Sequence, residues 1–345
     1  MAKTISRELS LRGFEVYVSC ETKLLKLQSS QDYYGAKLVY FPIIESVRNF
    51  SEPFLYDTLS ILWSSLQVDL ILMLGCYFPP PLIIPRLLRR VVFINVDGME
   101  WKRRKFGALL RYQLKQFAGL NSKLANLIIV DSPLIGEYYR QNFGTTPSYV
   151  PIGVEEIQPL DKEGLTRFNL SARGYYLVIA RLEPENNIQL IVDEFKKTRS
   201  KRKLVIVGPL KSNDYIRGLL RREDNRIIFL GGIFDPSTQR MLRHNCFAYI
   251  HGHEVGGANP SLIEALSCKN VTLAFGSPYN KEVAEDAAIY FSKDQGDLQE
   301  VIDNLEASQS GLDERASLSY LLYKRKYTVE KMVDTLEMLI RRFNS

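Results

Sequence analysis

Cysteine is scarce in this 345-residue sequence: four residues (Cys20, Cys76, Cys246 and Cys268), with no CxxC pair and no spacing that suits a metal. That excludes a zinc module or a disulfide scaffold and implies reduced thiols in a cytoplasmic protein. Long apolar runs are missing too. The longest, VDLILMLGCYFPPPLII, is interrupted by Gly75 and by Pro79-Pro80-Pro81, short of the ~20 residues that span a bilayer. The opening MAKTISRELSLRGFEVYV alternates charged and apolar residues and so lacks the apolar core of a signal peptide. Three histidines, His244, His251 and His253, lie too close together to build a catalytic constellation. There is no Asp-x-Asp pair to clamp a divalent metal on a diphosphate, no solenoid-length repeat and no low-complexity tract.

What is present is the balance of a soluble globular protein, 46% hydrophobic and 24% charged. The formal charge of +6 is unevenly placed. Between Arg86 and Lys123 ten basic residues face only Asp97 and Glu100, so that segment carries +8 and the rest of the chain −2. Such concentration suits one anionic partner: phospholipid, a diphosphate or nucleic acid. A solvated helix face is the plainer reading. The interleaved Trp101, Phe106, Leu109, Leu110, Tyr112 and Phe117 favour an amphipathic stretch at a membrane interface. Nucleic acid has charge alone in its favour, with no recognition motif, and is not expected as a partner.

Two series of short apolar strands alternate with helical segments. The first runs GFEVYVSC, AKLVYFPI, DLILMLG, VVFINVDG and NLIIVDSP; the second runs YYLVIAR, KLVIVGP, IIFLGG, FAYIHGH, VTLAFG and AIYFS. Their near-continuous Val, Ile, Leu and Phe content fits strands covered on both faces, hence parallel sheets with right-handed crossovers. The series break near PIGVEEIQPLDKEG (151–164). The expected fold class is α/β with two Rossmann-like domains, residues 1–158 and 159–325. Beyond residue 315, LSYLLYKRKYTVEKMVDTLEMLIRRF reads as helix, with apolar positions at roughly 3.6 spacing, and the helix over 326–345 is expected to pack back toward the first domain. Paired domains of this kind bind ligands at strand carboxyl ends, in the cleft that the domains face.

Two loops carry candidate chemistry. In HEVGGANPSLIEAL (253–266), Asn259 can cap a helix that begins at Pro260. Gly256 and Gly257 then lie ahead of a helix N-terminus, where bare backbone can approach a phosphate or sugar. Glu264, one turn further in, can accept hydrogen bonds from ribose hydroxyls. Ser261-Leu-Ile-Glu264 fits a capping box equally well, so spacing alone leaves both readings open. In VIARLEPENN, Arg181 ends the first strand of the second series, where a guanidinium can grip a diphosphate. A surface pair of Arg181 with Glu183 or Glu185 is the alternative.

Taken together, VDGMEWKRRKFG, ARLEPENNIQLIVDEF and HGHEVGGANPSLIEAL...NKEV resemble the retaining nucleotide-sugar glycosyltransferases of GT-B architecture, glycosyltransferase family 4. The similarity is strongest to the branch that includes rhamnosyltransferases of bacterial capsule and O-antigen assembly. It extends over nearly the whole chain. The resemblance implies a peripheral enzyme of the inner membrane face that moves a sugar, L-rhamnose from dTDP-rhamnose, onto a lipid-linked saccharide acceptor, with neither cofactor nor metal. It implies catalytic roles for Arg181, which neutralises the donor diphosphate, for Glu264, which holds the nucleotide ribose, and for Asp97, which with Gly98 ends a strand where acceptor meets donor. Gly256, Gly257, Asn259, Ser261 and Asn186 fall on the donor side. Glu100, Trp101, Lys102 and Arg103 fall on the acceptor and membrane side.

The sequence departs from the family pattern in three places. Asn186 stands where a basic residue is usual, and Gly256 where the first glutamate of an E-x7-E motif is usual. The third departure is larger: AKTISRELSLRG reads as the family's first helix, and no opening strand with its glycine-rich loop precedes it. Either the start lies too late or the chain is a truncated relative. In the second case the alternative function is a non-catalytic binder of nucleotide sugar or glycan, or an assembly scaffold. A nucleotide-sugar epimerase lacks the acid/base constellation it would need.

Overall fold

Every apolar run named above becomes a strand, and every long one is paired in parallel. The protein is described by a computed structural model that covers residues 1–345 except 22–31, 42–51, 97, 103–105, 157–162, 211–213, 223, 309 and 345. The chain divides into two compact units, Met1–Gly153 with Val329–Ser345, and Val154–Thr328.

The first unit contains β1 (Tyr17–Glu21), β2 (Asp32–Tyr33), β3 (Ala36–Phe41), β4 (Leu70–Leu74), β5 (Val91–Asn95), β6 (Leu127–Val130) and β7 (Ser148–Tyr149). Its helices are α1 (Ala2–Leu11), α2 (Glu52–Gln67), α3 (Ile83–Leu87), α4 (Ala108–Leu124) and α5 (Pro133–Phe143). The strands form two sheets, β1-β3-β2 and β4-β5-β6-β7. Both β1 and β4 are therefore edge strands, and among the described residues nothing pairs with their outer sides. Helix α2 packs on β3 and on β4, so the two sheets share one helical cover. β1 is nowhere fully buried and β4 only at Ile71, whereas β5 and β6 are buried along most of their length. Open parallel edges of this kind are unusual, because unpaired backbone groups are costly when they are removed from water.

The second unit is built from β8 (Tyr175–Ile179), β9 (Lys203–Val207), β10 (Ile227–Gly231), β11 (Ala248–His251), β12 (Thr272–Phe275) and β13 (Ala288–Phe291). Helices α6 (Ile188–Lys197), α7 (Asp214–Leu220), α8 (Pro236–Asn245), α9 (Pro260–Ser267), α10 (Pro278–Ala284), α11 (Asp297–Ala307) and α12 (Leu312–Lys326) accompany them. The sheet order is β10-β9-β8-β11-β12-β13, with every pairing parallel. That is the doubly wound order, and its topological switch point lies between β8 and β11. Helix α6 shows why the sequence pattern works: Ile188, Ile191, Val192 and Phe195, at helical spacing, are all fully buried.

Four of the helix starts follow one local rule. Ser132, Asp235, Asn259 and Ser277 each cap a helix with the side-chain oxygen, and each is followed by proline. The cap satisfies a free N–H, and proline supplies a preset φ where no N–H is needed.

The apolar pattern from residue 315 onward reads as one helix, but the structure breaks it into α12 and α13 (Val329–Asn344). Neither proline nor glycine causes the break. The Val154 N–H donates to the Tyr327 carbonyl (2.9 Å), Thr328 bridges to Val154, and the Tyr327 hydroxyl reaches the Val283 carbonyl. Tertiary bonds thus take the place of the helical ones. Helix α13 joins the first unit: Met332, Val333, Leu336, Leu339 and Ile340 pack with Ile5 and Leu9 of α1 against Phe93 and Ile129.

Asp57 of α2 is a half-buried carboxyl in this unit, and partial desolvation pushes it up to about 6 from its ordinary 3.8. A raised carboxyl means that the folded state binds its proton more tightly than the unfolded state. Stability is therefore lost as pH rises from about 4 to about 6, and the penalty is complete above that. Asp57→Asn is expected to raise Tm at pH 7.5, with the gain vanishing near pH 4. A thermal-unfolding series over pH checks this, and a gain independent of pH would refute it.

Candidate functional site

The chemistry-bearing loops of the second unit leave adjacent strands. β8 and β11 pair directly, so the loop with Arg181 and the loop with Gly256 flank the switch point on the carboxyl edge of one sheet. They are also bonded to each other. The Glu254 N–H donates to the Glu185 carbonyl (3.1 Å), and Asn187 Nδ2 donates to the Gly252 carbonyl (2.9 Å). Gly252 allows the approach, because a Cβ there would lie 2.2 Å from the Asn186 carbonyl oxygen.

Arg181 is half exposed, and its Nε stands 4.0 Å from Glu183 Oε2, a loose pair that leaves the guanidinium available. Asn186 is placed differently from the donor-facing expectation. Its side chain is buried, with Nδ2 donating to the Arg181 carbonyl at 2.7 Å. It shapes the loop that carries Arg181 and adds no charge to the surface.

Gly256 has φ +131, in the region that disfavours side chains, and with Gly257 it forms the half-buried turn before α9. Asn259 caps α9 by accepting from the Ser261 N–H (2.9 Å), with Pro260 as first helical residue. This disposes of the capping-box reading of Ser261 and Glu264. Ser261 Oγ instead meets the Tyr249 hydroxyl (2.6 Å) and donates to the Ile179 carbonyl (3.2 Å). Glu264 pairs with Arg243 Nη2 at 2.5 Å, while its own side chain stays 33% exposed.

Arg243, Tyr249 and His251 escape a reading of the sequence. Arg243 is the largest fully buried side chain among the described residues. Its only sequence signal is a lone cation in MLRHNCFAYI, directly before a core strand. His251 stacks between Tyr249 and His253. Burial, then the nearby His253 and Arg243, push its pKa well below the usual value, so its ring is neutral at physiological pH.

In the first unit a cavity of about 50 Å³ opens at the carboxyl ends of β4 and β5, lined by Gly75, Cys76, Tyr77, Val96, Gly98, Glu100, Trp101, Phe117 and Asn121 among others. Asn121 Nδ2 holds the Cys76 carbonyl (2.9 Å), and Arg111 Nε holds the Trp101 carbonyl (2.7 Å). Burial foremost raises the Cys76 thiol to about 12, so it stays protonated and is not a nucleophile. Asp97, expected as a catalytic residue where acceptor meets donor, and Arg103, expected on the acceptor side, lie outside the described residues. Lys102 stands 5.0 Å over the ring of Tyr138. The interfacial reading of Trp101 needs correction: it is buried among Tyr138, Tyr139 and Phe143 and cannot insert into a lipid surface. Phe117 likewise packs inward, on Phe78. Aromatic attraction inside the unit outweighs the charge pattern that surrounds these residues in sequence. Leu109 and Tyr112 of α4, by contrast, are exposed at 73% and 64%.

Comparison with known proteins matches residues 168–325 to the model of glycosyl transferases group 1, and residues 84–155 to a domain of unknown function. Among curated proteins none matches the sequence. Several solved structures share the fold. Anabaena HepE in complex with UDP and glucose is 14% identical, with a TM-score of 0.79 over 99% of this chain and 95% of that one. Sucrose-phosphate synthase from Thermosynechococcus elongatus is 13% identical, with a TM-score of 0.80 over 99% and 92%. A glycosyltransferase from Rickettsia africae is 12% identical, with a TM-score of 0.78 over 99% and 93%. At these identities the likeness establishes the architecture. The chain has the GT-B fold of two Rossmann-like units, and the stretch that matches glycosyl transferases group 1, residues 168–325, lies within the second unit.

Proposed function

We propose that this protein is a retaining glycosyltransferase that takes a sugar from a nucleotide-sugar donor and passes it to a lipid-linked saccharide in surface-polysaccharide assembly. One observation carries the reading. A bare glycine turn at a capped helix N-terminus and an available guanidinium flank the same switch point, where doubly wound sheets bind their ligands. The N–H groups ahead of α9 and the Arg181 guanidinium would meet the donor diphosphate. Glu264 would accept from a pentose hydroxyl. Sugar transfer with retention by same-face attack places negative charge on the departing diphosphate, and fixed donors stabilise that charge. The acceptor hydroxyl gives its proton to the leaving phosphate, so no protein nucleophile is required, and the reading assigns no metal. Glu100 and Lys102, just after the carboxyl end of β5, mark the candidate acceptor side of the first unit. HepE binds UDP and glucose. UDP-glucose and, from the sequence resemblance, dTDP-rhamnose are therefore the first donors to try. Release of nucleoside diphosphate that depends on a lipid-linked saccharide supports the proposal.

The divided sheet of the first unit favours a second reading, a nucleotide-sugar binder without turnover. Binding of donor with no release under any acceptor would select it.

The membrane side of the proposal rests on α3 and α4. Arg86 Nη1 donates to the Lys123 carbonyl and so ties the end of α4 to α3. These helices expose Arg86, Leu87, Leu109, Arg111, Tyr112 and Lys115, and Leu88 and Arg89, directly after α3, are exposed as well. No helix among the described residues is long and apolar enough to cross a membrane. An anionic lipid surface complements this mixture of cations and apolar groups, with about 1 kcal/mol per basic residue near the headgroups. Changing Arg86, Arg89 and Lys115 to alanine is expected to weaken binding to phosphatidylglycerol vesicles by about 100-fold in a flotation assay. Unchanged flotation would remove the membrane role.

A further inference from the structure

Arg243 is 2% exposed, yet the carboxylate it pairs with is not. Its Nη2 lies 2.5 Å from Glu264 Oε2 and 3.2 Å from Ser261 Oγ, and its Nη1 lies 3.3 Å from Gln239 Oε1. Nε is buried with no partner. Ser261 in turn holds the Ile179 carbonyl at the end of β8, two residues before Arg181. One buried cation therefore connects the start of α9, its outward-facing glutamate and, through Ser261, the strand that carries the diphosphate arginine. A buried guanidinium is a poor source of stability, because apolar side chains of similar volume usually serve a core as well or better. An internal cation under a half-open carboxylate does something else: it takes one carboxylate oxygen and fixes the rotamer, leaving Oε1 directed by that constraint.

We infer that Arg243 is a positioning residue that locks the Glu264 carboxylate in one orientation for a hydroxyl of the donor's pentose. The inference rests on the donor reading given above. Its test is a double-mutant cycle on nucleotide binding, with UDP and dTDP as probes in calorimetry on the full chain. The variants are Arg243→Met, Arg243→Lys, Glu264→Gln and the double variant Arg243→Met/Glu264→Gln. Arg243→Met is expected to weaken binding at least tenfold, and Arg243→Lys, which keeps the charge, to recover part of that loss. In the Glu264→Gln background Arg243→Met should add less than about a twofold further loss, because residues that act through one another are non-additive. Circular dichroism of each variant separates misfolding from mispositioning, and if Arg243→Met does not fold, the cycle is run with Arg243→Lys. Wild-type affinity in the Arg243 variants overturns the inference and leaves the donor reading standing. So does a loss that simply adds to that of Glu264→Gln. A wild-type chain that binds neither nucleotide overturns the donor reading, and the positioning role with it.

Discussion

Replacing Arg181 with alanine is expected to lower donor turnover by about 100- to 1,000-fold, the loss typical when a fixed group that stabilises transition-state charge is removed. The measurement is nucleoside diphosphate released from the donor. Folding should be almost untouched. Arg181 is half exposed and its ion pair with Glu183 is loose at 4.0 Å, and exposed pairs contribute about 0–1 kcal/mol. An activity loss without a Tm change is therefore the signature of a site residue. If binding to the ground-state donor were the whole contribution, KM would rise with kcat unchanged; a fall in kcat identifies charge developing on the leaving diphosphate. Glu264 calls for a gentler change. Glu264→Ala should also reduce turnover sharply, but it strips the partner from the buried Arg243, and breaking a buried pair destabilises by as much as about 3–5 kcal/mol. Glu264→Gln keeps the shape and one acceptor oxygen while removing the charge and the second acceptor. Near-normal turnover in both Arg181→Ala and Glu264→Gln would remove the assigned site.

Gly252→Ala should destabilise the second unit strongly. The reason is contact, since Gly252 is absent from the positive-φ positions. A Cβ would stand 2.2 Å from the Asn186 carbonyl oxygen and 2.8 Å from Ile191 Cδ1. The first is backbone, held by the Asn187–Gly252 and Asn186–Arg181 bonds, and has nowhere to go. Forced overpacking costs about 1–3 kcal/mol and more where rigid backbone must shift. A cost of about 3 kcal/mol lowers Tm by roughly 6–12 °C in a unit of this size. The same displacement moves the Arg181 loop away from the Gly256 turn, so nucleotide affinity should fall as well. Thermal unfolding and UDP titration of this one variant test both effects. A stable Gly252→Ala that binds like wild type would mean that the two loops are not held together as described.

The contrast between Gly252 and Arg243 shows where a reading of residues succeeds and where it ends. The glycine lies in a short motif with its neighbours in sequence, so its loop, the Asn259 cap and the Pro260 helix start could all be read locally. Arg243 meets Glu264 across 21 residues of chain, through a strand and a turn. Nothing in MLRHNCFAYI distinguishes a cation turned inward from one that faces water. Trp101 makes the same point in the first unit. Surrounding charges suggest an interfacial anchor, but packing against Tyr138, Tyr139 and Phe143 draws it inside. The break between α12 and α13 belongs to this class too, since an uninterrupted apolar period is cut by bonds to Val154 and Val283.

The α/β class, the eleven longer strands, the proline-started helices and the loops that carry Arg181 and Glu264 are all legible in the residues. Each of these follows from side-chain periodicity or from a cap a few residues long, and such forces act over one or two turns of chain. Folding in three dimensions is what makes β8 and β11 neighbours at a switch point, sets Arg243 beneath Glu264, and leaves β1 and β4 as open edges among the described residues. Those outcomes depend on which distant segments compete for the same burial and the same hydrogen bonds, a choice made in space after the local elements are set.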